Sequence, residues 1–251
     1  NYKLADSYFK KCMDIEGDNI PIIKNYCISL KQQNKIDEVN HLLLLLYKLT
    51  KAAPEVTFEL ANNLILINKK EDAFNIVNKA LQNDHESALL NTSMGNVLYE
   101  MGKHKESEEY YKKAYTINDH DFQILFRLGY YSLNNQKYNE SISYLEKITN
   151  NIEKYQNYNQ QFHLIYYNIG LSYENLREFD KAEKYYLNAY QLNQNDINIL
   201  VNLSSTYREK KEFDKAIEFL NKAITLNPKN RVLYNNLGII YSEIGNHKQS
   251  V

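Results

Sequence analysis

The amino-acid sequence predicts an all-α protein made of stacked antiparallel helical hairpins, and three observations carry that prediction. A leucine-like residue, a small residue and a tyrosine-like residue recur together every 34 residues along most of the chain, and a fixed period of that size marks a repeat array. Only 3 Pro and 7 Gly occur among 251 residues that are 43% hydrophobic. That leaves little turn chemistry for a β-rich fold and favours long helices. Small residues also recur at two fixed places, which lets paired helices approach closely.

With the small residue placed eighth, repeats begin at Ile20, Pro54, Ala88, Phe122, His163, Ile197 and Arg231, separated by 34, 34, 34, 41, 34 and 34 residues. Position eight is Cys27, Ala61, Gly95, Gly129, Gly170, Ser204 and Gly238; position twenty is Val39, Ala73, Ser107, Ser141, Ala182, Ala216 and Ser250. These two sets are expected to face each other across each hairpin. Larger residues fill positions four, seven, eleven and twenty-four, as Leu125, Leu128 and Leu145 do in the Phe122 repeat. Burying each is worth about 1.5–3 kcal/mol. A lone hairpin cannot bury them, so neighbours must stack.

Taken in order, residues 1–19 read as the second helix of a partial repeat, with Ala5, Phe9 and Cys12 at positions twenty, twenty-four and twenty-seven. Repeats follow at 20–53, 54–87, 88–121, 122–162, 163–196 and 197–230, and 231–251 is partial again. Each helix spans about 13 residues, or about 20 Å. The clearest copies show Tyr166, Ile169, Gly170, Tyr173, Ala182, Tyr186 and Ala189, then Leu200, Leu203, Ser204, Tyr207, Ala216, Leu220, Ala223 and Pro228. Gly102 and Gly245 are expected in the turn within a repeat, and Gly17 between repeats. The array is expected to be cut at both ends, since no polar capping helix is evident.

The 122–162 repeat carries seven extra residues. Seven residues are almost two helical turns and leave the apolar stripe unrotated. Leu145, Ile148, Ile152 and Tyr155 continue one stripe, and Tyr158, Phe162, Ile165 and Ile169 lead into the next. Two elongated helices meeting near residues 156–159 are therefore expected.

Composition excludes several functions. Thirty Lys and Arg against 31 Asp and Glu give a net charge of -1, so nothing marks a surface for nucleic acid. The longest apolar run, Leu42 to Tyr47, is far short of the roughly 20 residues that span a bilayer. No membrane insertion and an intracellular, cytoplasmic setting are expected, with nucleus or cilium as alternatives. Cys12 and Cys27 both fall at small packing positions, which reads as reduced core thiols. No HExxH, CxxC, GxSxG or Walker pattern occurs. Asp84 with His85 and Asp119 with His120 occupy equivalent turns, where turn formation accounts for them better than a metal or acid/base site. No catalytic residue, metal or cofactor is expected.

The phased positions resemble the tetratricopeptide repeat family over essentially the whole chain. The resemblance implies an α-solenoid coiled as a right-handed superhelix, whose first helices line a groove through positions two, five, six, nine, twelve and thirteen. Position six holds Asn168, Asn202 and Asn236 in consecutive repeats and Asn25 earlier, with Glu59, Ser93 and Arg127 between. An amide both donates and accepts, so such a ladder can hold an extended peptide backbone. The arrangement is similar to the asparagine ladder of O-linked N-acetylglucosamine transferase. Phe58, Tyr99, Phe126, Tyr130 and Tyr167 place aromatic rings at positions five, nine or twelve, as interface anchors or as packing between first helices. Leu44 and Leu45 break the polar outer face of a second helix and suggest a convex partner contact.

The carboxylate clamp of chaperone-binding repeats is not reproduced. The matching positions hold Phe58, Asn62, Ser93, Gln123 and Arg127, without the lysines that grip a terminal carboxylate. The resemblance thus implies a non-catalytic scaffold binding extended peptides within a multiprotein assembly, such as ciliary transport complexes or the mitotic ubiquitin ligase. Composition favours the ciliary setting. The alternatives are a substrate-recruiting segment of a larger enzyme, such as a protein glycosyltransferase, and self-association through the edges of the array.

Overall fold

The computed structural model describes the backbone of residues 2–249 and the side chains of residues 2–245. Every regular element among them is helical. The chain divides into two compact units, Asn1–Ile124 and Leu125–Val251.

The first unit contains α1 (Tyr2–Glu16), α2 (Ile20–Gln32), α3 (Ile36–Leu49), α4 (Pro54–Leu66), α5 (Lys70–Asn83), α6 (Ala88–Glu100), α7 (His104–Ile117) and the start of α8 (Phe122–Asn134). The second contains the rest of α8, then α9 (Tyr138–Thr149), a 3₁₀ segment (Ile152–Gln161), α10 (Phe162–Asn175), α11 (Phe179–Leu192), α12 (Ile197–Glu209), α13 (Phe213–Leu226) and α14 (Arg231–Gln249). Helices α2, α4, α6, α8, α10, α12 and α14 are the first helices of successive hairpins. Several open on a side-chain cap: Asn19 Oδ1 accepts from the Ile22 N–H at 3.3 Å, Ser87 Oγ from Leu90 at 3.3 Å and Asp196 Oδ1 from Asn198 at 2.8 Å. Pro21 and Pro54 sit in the first turns of α2 and α4, where their missing N–H is harmless.

One backbone device joins each first helix to its second. Position fifteen is left-handed in six repeats: Asn34 (φ 57°), Asn68 (60°), Gly102 (78°), Gln136 (61°), Arg177 (61°) and Lys211 (62°). The N–H of the next residue then donates back to the carbonyl of position eleven, as Lys35 does to Leu30 (3.1 Å), Glu178 to Tyr173 (2.9 Å) and Glu212 to Tyr207 (2.9 Å). This Schellman closure satisfies carbonyls that the helix end orphans.

Inside the hairpins, the residue lying over position eight comes from position twenty-four. A Cβ added at Gly95, Gly129 or Gly170 would stand 2.9 Å from the Tyr111 ring, 2.5 Å from Leu145 or 2.7 Å from the Tyr186 ring. The small residues at position twenty are buried beside that contact. The two sets also hydrogen-bond each other: position-twenty Ser107 Oγ donates to the Gly95 carbonyl at 2.6 Å, and position-eight Ser204 Oγ donates to the Ala216 carbonyl at 2.8 Å. The two small sets therefore meet backbone to side chain, with a large side chain wedged alongside.

Three expectations are corrected. The extra residues do not lengthen two helices: α9 ends at Thr149, and Tyr155 and Tyr158 leave helical geometry inside the 3₁₀ segment (φ -114° and -108°). Asn151 Nδ2 donates to the Lys147 carbonyl at 2.9 Å, a side chain taking a backbone acceptor at the helix end. Of the expected stripe Tyr155 is buried, whereas Ile152 is exposed. Cys12 is exposed while Cys27 is buried. Helix α1 turns Phe9 toward Tyr26, with ring centroids 5.2 Å apart, and leaves the Cys12 side in solvent. Finally, α14 runs through Gly245 without a turn. Position-twenty Ser250 lies outside the described residues.

Candidate functional site

In the second unit the first helices α10 and α12 pack side by side and bring together a polar network. Tyr186 reaches through from α11 at position twenty-four, fully buried. Its hydroxyl donates to Glu174 Oε2 on α10 at 2.5 Å. Asn202 on α12 donates its amide nitrogen to the Tyr186 oxygen at 3.3 Å and to the Tyr167 oxygen at 3.1 Å. The Tyr167 and Tyr186 rings lie 5.8 Å apart.

This chain of bonds fixes the Asn202 amide. A phenol has one proton, and that of Tyr186 is committed to Glu174, so its oxygen can only accept. Asn202 must therefore turn its NH₂ inward and keep its carbonyl oxygen as the group it offers. Burial is the main cause that raises the Glu174 carboxyl above the ordinary carboxylate value, opposed by hydrogen bonds from Tyr186 and Ser205. Burial likewise pushes the Tyr186 phenol far up, reinforced by the Glu174 charge. Both directions are what desolvation demands of acids.

Other polar clamps tie neighbouring repeats. Tyr173 and Tyr207, both at position eleven, donate to glutamates on the preceding second helix: Tyr173 to Glu146 Oε1 at 3.2 Å and Tyr207 to Glu183 Oε1 at 2.9 Å. Tyr185 donates to the same Glu146 oxygen at 2.7 Å. Burial pushes the Tyr173 phenol up to about 12, helped by the Glu146 charge. Lys210 pairs with Asp180 at 2.7 Å, with Glu183 and with Glu212 at 3.3 Å. The bonds to Glu146, Glu183 and Asp180 are inter-repeat struts, whereas Glu212 shares a repeat with Lys210.

The sequence-predicted residues are distributed unequally. Asn168 is 8% exposed, Asn202 is held as described, Asn236 is half-buried and Asn25 is exposed. The three consecutive asparagines thus do not offer equal amides. Phe126, Arg127 and Tyr130 are half-buried on α8, and Tyr167 joins the network. Glu59 pairs with Lys31 at 2.7 Å. Leu44 and Leu45 are half-buried and pack against the core of the first unit. Sequence reading missed Tyr186, Glu174 and Ser205. The available signal was a phenol at a packing position, since a buried hydroxyl needs a partner. Among the described residues no cluster of His, Cys, Asp or Glu is arranged to hold a metal, and no helix is long and apolar enough to cross a membrane.

Stacked hairpins with a recessed polar face on their first helices define an α-solenoid of the protein-interaction class. The family follows from direct comparison: models described as tetratricopeptide repeat match residues 89–121, 122–154, 161–229 and 219–251, and the chain carries tetratricopeptide repeats there. No curated protein matches the sequence. Among solved structures, the chain is similar to one in the APC/C hetero-tetramer Cut9-Hcn1, with TM-score 0.72 and 17% identity over 96% of this chain and 46% of that one. It therefore spans about half the length of that chain. It is also similar to YrrB, a TPR protein with an unusual peptide-binding site (TM-score 0.65, 21% identity, 77% of this chain and 96% of that one). MamA from Desulfovibrio magneticus RS-1 aligns with TM-score 0.61 and 16% identity over 70% of this chain and 96% of its own.

Proposed function

We propose that this protein is a subunit of a multiprotein assembly that holds an extended peptide along the first helices of its second unit, across α10, α12 and α14. The observation that carries this is the locked Asn202 amide. Its carbonyl oxygen has no partner among the described residues, beside the partly buried Glu174 carboxylate. Two acceptors on one face suit a ligand rich in donors, namely backbone N–H groups and Lys or Arg side chains. Asn236 continues the face on α14, while Arg208, on α12 itself, has its charge met within the chain by Glu209 at 2.7 Å and Glu243 at 3.8 Å. The assemblies in which such arrays serve, of which the Cut9-Hcn1 hetero-tetramer is one, supply the setting we assign.

Selection of a random peptide display library on the 251-residue chain tests the reading. Enriched sequences should be rich in Lys and Arg. Asn202→Ala should weaken the best binder by about tenfold, and combined alanine replacement of Asn168, Asn202 and Asn236 should weaken it further. Unchanged affinity in the triple variant would sink the proposal.

A further inference from the structure

A second candidate site lies in the first unit, on the side of the second helices. Between α1 and α3, with α2 beneath them, a cleft of about 320 Å³ is lined by Met13, Tyr26, Leu30 and Leu42 and rimmed by Lys10, Asp14, Glu38 and His41.

Tyr26 is the anomaly there. It occupies position seven, where the other repeats hold Leu60, Met94, Leu128, Ile169, Leu203 and Leu237; the stack on Phe9, 5.2 Å away, accounts for a ring there but not for its hydroxyl. The tyrosine is 4% exposed, and its hydroxyl is buried with no hydrogen-bond partner. A desolvated hydroxyl left unpaired costs folding free energy that a leucine would not. An unpaired hydroxyl lining a cleft points to a partner supplied from outside.

The lining states what that partner offers. Met13, Leu30 and Leu42 form an apolar wall, and the flexible Met13 thioether adapts to varied shapes. At the rim, Asp14 makes no ion pair among the described residues. Glu38 is loosely paired with Lys35 at 3.6 Å. The His41 ring engages the Asp37 carbonyl through Nδ1 at 2.9 Å, and Lys10 stands one turn before Asp14. With Lys35 and its other partner Asp6 (2.6 Å) included, three carboxylates stand against two lysines, and the balance favours a cation.

We propose that this cleft receives an apolar side chain of a protein partner, whose adjoining peptide carbonyl accepts from the Tyr26 hydroxyl while a neighbouring Lys or Arg meets Asp14. The site shares no residue with the Asn202 face, so it stands or falls apart from the peptide reading above. Of the leucine run of α3, it is Leu42 that lines this cleft.

The test is a methyl NMR titration of the full chain with acetyl-Leu-Arg-amide and, separately, acetyl-Leu-Glu-amide. The expected result is saturable shifts of the Met13, Leu30 and Leu42 methyls, tighter for the arginine peptide. Tyr26→Phe should bind about fivefold more weakly while melting at or above the wild-type temperature, which shows that its fold is intact. Asp14→Asn should erase the preference for arginine. Shifts absent from these methyls, or equal affinity in Tyr26→Phe, would overturn the proposal and leave the hydroxyl as a tolerated packing defect.

Discussion

The ring of Tyr186 lies across Gly170 so closely that a methyl group on residue 170 would stand 2.7 Å from its Cδ1. Alanine at 170 should gain roughly 1 kcal/mol of helix propensity, but overpacking costs about 1–3 kcal/mol. The ring cannot retreat, because its hydroxyl is tied to Glu174 and Asn202. Gly170→Ala should therefore lower the melting temperature. A variant that melts at or above the wild type would show that the helices can move apart.

Glu174 gives a pH dependence with a definite sign. Its folded pKa is raised by burial, so the folded state favours the protonated carboxyl. That stabilisation is complete below the ordinary carboxylate value and is lost as pH rises through the raised value. Glu174→Gln, which does not titrate, should gain stability relative to wild type as pH rises from the ordinary carboxylate value through the raised one. Parallel melting curves across that range, with a constant difference, would contradict the assignment.

Arg177 is exposed and left-handed at φ 61°, where a side chain costs about 1–2 kcal/mol. Glycine removes that penalty and adds unfolded-chain entropy worth about 0.4–1 kcal/mol. Arg177→Gly should thus stabilise the protein by up to about 1 kcal/mol, read as a higher denaturation midpoint in urea. A lower midpoint would mean that the arginine side chain contributes more than its backbone costs.

The two cysteines should separate cleanly. Burial pushes the Cys27 thiol up to about 11, so little thiolate exists at neutral pH, whereas Cys12 is exposed. Alkylation of the native protein followed by peptide mass spectrometry should modify Cys12 and spare Cys27, with both labelled in denaturant. Equal labelling in the native state would place Cys27 in an opening segment.

The hairpins were legible because position eight must stay small and positions four, seven and twenty-four must stay large, and a period exposes such constraints. What lay over position eight was not legible: the small residues at position twenty suggested a small-on-small contact, but Tyr111, Leu145 and Tyr186 fill that place. The run Asn150 to Gln161 carried a plausible helical stripe, yet Asn151 captured a backbone carbonyl, a competition that periodicity does not register. The candidate face was half legible. Asn202 stood out by position, whereas its orientation is decided by the proton of Tyr186, a residue that the register had assigned to packing alone. The Tyr26 cleft depends on an orphaned hydroxyl, and only coordinates can show that a group lacks a partner.

The left-handed turns have a consequence for how this array can change. Five of the six hold an ordinary side chain where glycine would rest more easily, so the protein stands below the stability that its own architecture permits. These turns lie in separate repeats, and gains at distant sites usually add. None of the five residues belongs to the Asn202 face or the Tyr26 cleft. Robustness can therefore be raised turn by turn, and that reserve is available to offset destabilising change at either surface where recognition is remodelled.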